Sequence, residues 1–294
     1  MVLVLVGIAF AKSGRTLVDQ AHRLSISAVA LAAVATVAGL GANLLSWRAV
    51  LADLGSRLPL TAALRVFFLG QLGKYVPGSV WPVVAQMELG KEHGVPRARS
   101  ATAGLLTVAL SLVAALLVAA VSLPFTSADA LSTYWYVFLA VPVLAVGLVP
   151  SVANRVLDRL FRLARRGGLS EPLTGRGVLW GLFWAVVAWV LFGVQVALLA
   201  HDLGAHAGKA VPLAIGAFAL AWSLGFLFVL APAGLGVREG AIVLGMSPVL
   251  NQDKALLVAL VSRALMSLGD GVLAGVAVAA ARRHRKAVEE PVRT

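Results

Sequence analysis

Five stretches of this chain carry no Lys, Arg, Asp or Glu: Leu24 to Trp47, Ser100 to Ala128, Ala130 to Asn154, Gly177 to His201 and Ala210 to Val237. A helix needs about 20 apolar residues to cross roughly 30 Å of hydrocarbon, so each stretch predicts a membrane span. A sixth, Ala255 to Ala281, has the length but holds Arg263 and Asp270 inside it. Met1 to Ala11 is apolar but short for a span. It lacks the basic start and cleavage site of a signal peptide, so it reads as the end of a first helix.

Between the first two stretches lies a segment of another kind. Leu60 to His93 holds Arg65, Lys74, Glu88 and Lys91, and Pro77-Gly78 interrupts it. Proline removes a backbone donor and glycine loosens a helix, so the pair marks a break. The run from Leu230 to Gly240 repeats the device with Pro232, Gly234, Gly236 and Gly240. Shifting the chain by 155 residues lays Pro77 on Pro232 and Gly70 on Gly225. In each half an apolar segment leads to the break, a shorter one follows, and a long hydrophobic helix closes the half.

Charge supplies the topology. The Arg155–Arg176 connection holds Arg155, Arg159, Arg162, Arg165, Arg166 and Arg176 against Asp158 and Glu171, and Arg282 to Lys286 is a basic tail. Positive residues stay cytoplasmic. The loops near Asp129 and Asp202 then lie outside, and the two broken elements enter from opposite faces. Lys12, Arg15 and Arg23 fall outside against the rule. Interrupted segments in corresponding halves point to a transporter binding site near the midplane.

Composition agrees. The 294 residues are 60% hydrophobic and 13% charged, with a mean hydropathy of +0.91. Soluble domains run at about 45–50% apolar and about 25% charged. The net charge of +12 sits between and beside the apolar runs, which reads as topology and attraction to anionic lipid, not as nucleic-acid binding. There is no cysteine, hence no disulfide and no thiolate chemistry. The histidines lack metal-ligand spacing, with His201, His206 and Asp202 the nearest to a cluster. Gly234 to Gly240 is one residue too long for a dinucleotide fingerprint. No cofactor is expected. Gly177…Gly181 and Gly271…Gly275 read as small-residue packing motifs.

The segment Gln71-Leu-Gly-Lys-Tyr-Val-Pro-Gly-Ser-Val-Trp-Pro82 resembles the Gly-Lys-Tyr-hydrophobic-Pro-Gly motif of the lysylphosphatidylglycerol synthase transmembrane (flippase-like) family. Pro232 to Gly240 resembles its second signature, and Asn43 to Arg48 its Asn…Trp-Arg helix end. The resemblance implies a membrane domain that translocates lipids. The family's best-known members carry a soluble aminoacyl-transfer domain after this one, and none follows here before Thr294.

The candidate substrate-binding residues are Arg65, Gln71, Lys74, Tyr75, Pro77, Gly78 and Trp81 at the first break, and Pro232, Gly234, Gly236, Arg238 and Glu239 at the second. Arg263 and Asp270 on the last helix complete the set. Two readings stand for each group. Lys74 and Arg65 meet an anionic headgroup, or snorkel to the interface. Tyr75 and Trp81 line a headgroup pocket, or join an aromatic belt. Arg238 holds a phosphate that Glu239 orients, or the two form a local ion pair. Arg263 and Asp270, two turns apart on one face, bind substrate or pair with one another.

The expected architecture is a single all-α integral membrane domain over residues 1–294, with halves at about 26–154 and 177–281. It is a polytopic bundle with two oppositely entering re-entrant hairpins in an inverted repeat. The expected function is translocation of an anionic phospholipid, glycolipid or polyprenyl-phosphate-linked sugar, without enzymatic chemistry. The expected location is a bacterial plasma membrane, with the C-terminus cytoplasmic. The rivals are an intramembrane lipid-modifying transferase, with Glu239 or Asp270 as base, and an anchor or partner of a glycosyltransferase.

Overall fold

The computed structural model describes residues 19–76, 80–122, 135–163, 171–227, 234 and 236–289. Pro77, Gly78, Pro232, Lys12, Arg15, Arg165, Arg166 and the Asp129 loop lie outside the described residues.

The described chain is helical, without strands. Its helices are α1 (Ile26–Asp53), α2 (Leu60–Gln71), α3 (Trp81–Lys91), α4 (Arg97–Ser122), α5 (Trp135–Leu148), α6 (Pro150–Leu163), α7 (Gly175–Asp202), α8 (Ala207–Leu227), α9 (Val237–Met246) and α10 (Gln252–Glu289), with a 3-10 turn at Leu72–Tyr75. Five of them, α1, α4, α7, α8 and α10, are long and apolar enough to cross a membrane. Their outer faces are apolar too: Ile26 on α1 is 89% exposed and Leu179 on α7 68%. Such faces suit lipid and not water.

The expected third span is not straight. Val141–Leu148 and Pro150–Leu163 are bent by 69°, and they make a sixth span only if counted together. Pro150 lacks the N–H that would continue α5, so a new helix starts there. That new helix, α6, carries Arg155, Arg159 and Arg162, which the sequence placed in a connection. Asn154 ties it down, donating to Leu173 O and accepting from Leu173 N. A second difference concerns α1. It runs to Asp53, so Asn43 to Arg48 lies inside the helix and not at its end. Apolar Val50 and Leu51 are fully buried and carry the helix onward.

Helices α1 and α7 pack antiparallel over their whole length, held at both ends by one clasp used twice. Ser25, the N-cap of α1, donates its backbone N–H to Asp202 Oδ2 at 2.6 Å and its hydroxyl to Oδ1 at 2.8 Å. Thr174, the N-cap of α7, gives the same two bonds to Asp53, at 2.7 and 2.6 Å. Both helices end alike. Gly55 and Gly204 turn at φ 87° and 98°, and the N–H groups of Ser56 and Ala205 bond back to Leu51 and Ala200. This is the left-handed glycine stop that satisfies terminal carbonyls. Between the clasps a Cβ on Gly39 would lie 2.5 Å from the Phe192 ring, and one on Gly193 would strike the Ile215 backbone. Close approach through small residues holds helices together where lipid removes the hydrophobic drive.

Leu60 to Lys91 is not one span. Arg65 pairs with Glu92, Gly70 lies against Gln86, and Gly73 lies against Trp81 and Pro82. Partners retreat as the chain advances, so α2 and α3 are an antiparallel pair. At 1.5 Å per residue, the 12 residues of α2 reach about 18 Å, short of the hydrocarbon. Helices α8 and α9 pair likewise, with Gly245 against Ala217 and Gly225 against Arg238. Arg99 donates to Gly55 O and Ser56 Oγ, so α4 begins beside the end of α1. Lys254 donates to Leu203 O at 2.8 Å, so α10 begins beside the end of α7. The two short pairs therefore start and finish at opposite ends of the α1–α7 pair.

The glycine motifs divide. Cβ atoms on Gly177 and Gly181 would meet Asp53 and Leu110, as packing requires. Gly271 and Gly275 have nothing within 4 Å, so that motif does not pack against the described residues. Its face of α10 points outward beside Leu268 and Val272, both well exposed.

Candidate functional site

The two breaks meet on α10. From the first, Lys74 Nζ lies 2.6 Å from Asp270 Oδ2, and the Tyr75 hydroxyl donates to the same oxygen at 2.7 Å. Asp270 is wholly buried. The 3-10 turn tightens the end of α2 and brings these consecutive residues onto one carboxylate. From the second break, Glu239 accepts from Arg263 through Oε1 and from the Gly236 N–H through Oε2 at 2.7 Å. Gly236 is the N-cap of α9 with φ 81°, a conformation open to glycine, and Glu239 at the third position reaches back to its N–H, the glutamate half of a capping box. The acid thus steadies the helix start and engages α10 at once.

Arg238 is held differently. A Cβ at Gly225 would lie 2.6 Å from its Cγ and 2.8 Å from its Nε, and one at Gly234 would lie 2.7 Å from Nε. The two glycines form a slot for the arginine stem, and the guanidinium sits 5.8 Å from the centre of the Trp222 ring. Trp222 stacks on Phe226 at 5.3 Å. Arg238 lies within electrostatic reach of Arg263, Glu239, Tyr75 and Asp270, so all these side chains share one centre. Three buried atoms in it find no hydrogen-bond partner among the described residues: Arg238 Nε, Arg263 Nε and Asp270 Oδ1.

The sequence pairings change accordingly. Arg263 and Asp270 do not pair with one another, and Glu239 is engaged by Arg263, not by its neighbour Arg238. Each α10 charge is met by the break that packs on it. Lys74 does not snorkel; its ammonium is on Asp270. Arg65 stands apart in a half-exposed pair with Glu92 at 2.8 Å. Trp81 opens α3 and is 46% exposed, and Gln71 ends α2 a turn before Lys74. The His201 to His206 region is not a metal site: Asp202 is taken by Ser25, and His201 Nδ1 lies 3.0 Å from Ala205 O. Among the described residues no group of three potential ligands occurs.

Sequence reasoning missed Trp222, because an aromatic in an apolar run carries no local sign of facing a cation. It also missed Gln195, fully buried in α7, which donates to Ser262 Oγ of α10 at 2.6 Å and accepts from Thr36 of α1 at 3.3 Å. A glutamine inside a span was the available signal. An apolar cavity of about 360 Å³ lies elsewhere, lined by Val118, Val121, Val190, Val211 and Ile215 among others, without a charged residue. It suits hydrocarbon and not a headgroup.

The fold and its centre define a multi-pass helical membrane protein with a nearly closed ion cluster between broken segments. The model of the family described as the lysylphosphatidylglycerol synthase TM region matches residues 1–274, and the chain belongs to that family. No curated protein matches it.

Proposed function

We propose that this protein is a lipid translocase that moves an anionic lipid between leaflets by alternating access, without making or breaking covalent bonds. One observation carries the reading: two broken segments, arriving from opposite ends, converge on charges in mid-helix, and among the described residues Arg238 forms no ion pair of its own. A half-buried cation without an ion-pair partner is costly in a membrane, and an anionic headgroup removes the cost. Family membership supports a lipid-related role. The doubled clasp and the opposed short pairs support an inverted repeat of two re-entrant hairpins, the build in which transporters place their site.

In this reading Arg238 holds the headgroup, while Arg263 and Lys74 stand ready on either side and Tyr75 steadies Asp270. Basic α6 rests on the cytoplasmic face of a bacterial plasma membrane, the C-terminus lies on the same side, and the tails stay in lipid. A quench assay of fluorescent phosphatidylglycerol in proteoliposomes tests it. Arg238→Gln, which orphans no carboxylate, is expected to slow flipping about ten- to a hundredfold, the worth of one charge-assisted contact. Leu268→Ala on the outer face is the control. Wild-type rates in Arg238→Gln would remove the support for this site.

A further inference from the structure

We infer that α6 is a docking surface for the anionic bilayer face, lying in the membrane interface and separate from the charge centre. The geometry of α6 carries the inference; only the name of the leaflet, the cytoplasmic one, rests on the proposed topology.

Direction is the first observation. Helix α5 lies against the span α4, with Val141 packed on Ala120, and α6 leaves it at 69°. A span tilts by about 20° from the bilayer normal on average, so a helix turned this far runs nearer the membrane plane than the normal. Asn154 fixes its level. The two bonds from Asn154 to Leu173 stand beside Thr174, the residue that caps α7 and holds Asp53. Helix α6 therefore starts where two spans end, at the depth of the headgroups.

The faces of α6 are the second observation, independent of the first. Ala153 is buried and Leu157, four residues on, packs against the core, which turns that side to the bundle. Val156 and Leu163, seven residues apart, are 48% and 84% exposed. Arg155, Arg159 and Arg162 recur at four and three residues, so they share a further face, and all three are exposed. Water would suit the arginines and not the adjoining valine and leucine. An interface suits both: the apolar side sinks toward the acyl chains while the arginines meet phosphates. None of the three arginines forms an ion pair among the described residues, and Asp158 is the one acid on the helix. The face keeps a net positive charge, which an anionic leaflet complements. Guanidinium groups match phosphate oxygens whatever alcohol is attached, so this surface reads charge density and not headgroup identity.

The chain has no cysteine, so Leu163→Cys in the full-length protein can carry one environment-sensitive fluorophore. It is placed in nanodiscs of phosphatidylcholine alone, and of phosphatidylcholine with an equal share of phosphatidylglycerol, and quenched with neutral acrylamide. In the anionic discs the emission is expected to shift blue and the quenching to fall, and added salt is expected to reverse both. Variants are compared at the salt concentration that half-reverses docking. Arg155→Gln/Arg159→Gln/Arg162→Gln is expected to shift the docked-to-undocked ratio about a hundredfold toward undocked, the worth of three basic residues on an anionic surface. Asp158→Asn removes the opposing charge and is expected to shift the ratio about fivefold the other way, which keeps the test decisive should the triple variant not fold. Equal quenching in neutral and anionic discs overturns the inference. So does protection that survives the triple substitution or ignores Asp158→Asn. Protection that grows with protein concentration in detergent alone overturns it in favour of a second copy of the chain. Each of these outcomes leaves the lipid site at the charge centre standing, since that reading falls with wild-type flipping in Arg238→Gln.

Discussion

Asp270 and Arg238 represent opposite solutions for a charge in a bilayer. Asp270 is fully enclosed and accepts two bonds on one oxygen, so removing Lys74 would strand it at a cost of about 3–5 kcal/mol. Loss of transport in Lys74→Ala would therefore mix destabilisation with lost binding. Arg238 has no such partner among the described residues, and its stem is placed by absent side chains at Gly225 and Gly234. Gly225→Ala tests the slot with readouts of opposite sign. Alanine in a helix is favoured over glycine by roughly 1 kcal/mol, so the thermal midpoint should hold or rise. The methyl should push Arg238 from its slot, so phosphatidylglycerol binding should fall as it does in Arg238→Gln. Unchanged binding in Gly225→Ala would mean that the slot does not set the arginine's position.

At the scale of elements, glycines decide which helices touch. Gly193 lets α7 meet the α8 backbone at Ile215, whereas Gly271 on α10 meets nothing. Gly193→Leu should overpack this contact and lower the stability of the detergent-solubilised protein by at least about 1–3 kcal/mol. Gly271→Leu should leave it nearly unchanged. Equal melting losses in the two variants would contradict the assignment of inner and outer faces. A spacing argument of the small-xxx-small kind treats Gly177…Gly181 and Gly271…Gly275 alike, since it does not know which side of a helix is occupied. The bend at Pro150 is a similar case. The apolar run from Ala130 to Asn154 reads as one span, but a proline near its end starts a new helix, tied to the bundle by Asn154.

For the whole molecule, the decisive relation is the antiparallel α1–α7 pair, which sets the ends from which the short helix pairs start. His93 lies at the Asp53 end and His206 at the Asp202 end, both exposed. The chain has no native cysteine, so His93→Cys and His206→Cys can each be labelled alone. With proteoliposomes of fixed orientation, an impermeant maleimide should reach the two from opposite sides, His93→Cys from the cytoplasmic one. Labelling of both from one side would reverse one short pair and remove the proposed inverted repeat. The clasps recur at a spacing of 149 residues, Ser25 to Thr174 and Asp53 to Asp202, while the breaks recur at 155. The extra residues fall in α8, which has 21 residues against the 12 of α2.

Much of this was legible in the chain itself. The apolar runs, the Pro-Gly interruptions and the basic connections depend on what each residue type does in lipid or in a helix, and those are local properties. Lys74, Tyr75, Arg238, Glu239, Arg263 and Asp270 stood out because a charge, or a polar group beside a break, is conspicuous in hydrophobic sequence. Their partners were not legible. Tyr75 and Asp270 meet across 195 residues, and Arg263 turns to Glu239 instead of the acid on its own helix face. Pairing is a matter of distance in space. Only the packing of two broken segments against α10 decides which carboxylates are taken and which arginine is left over.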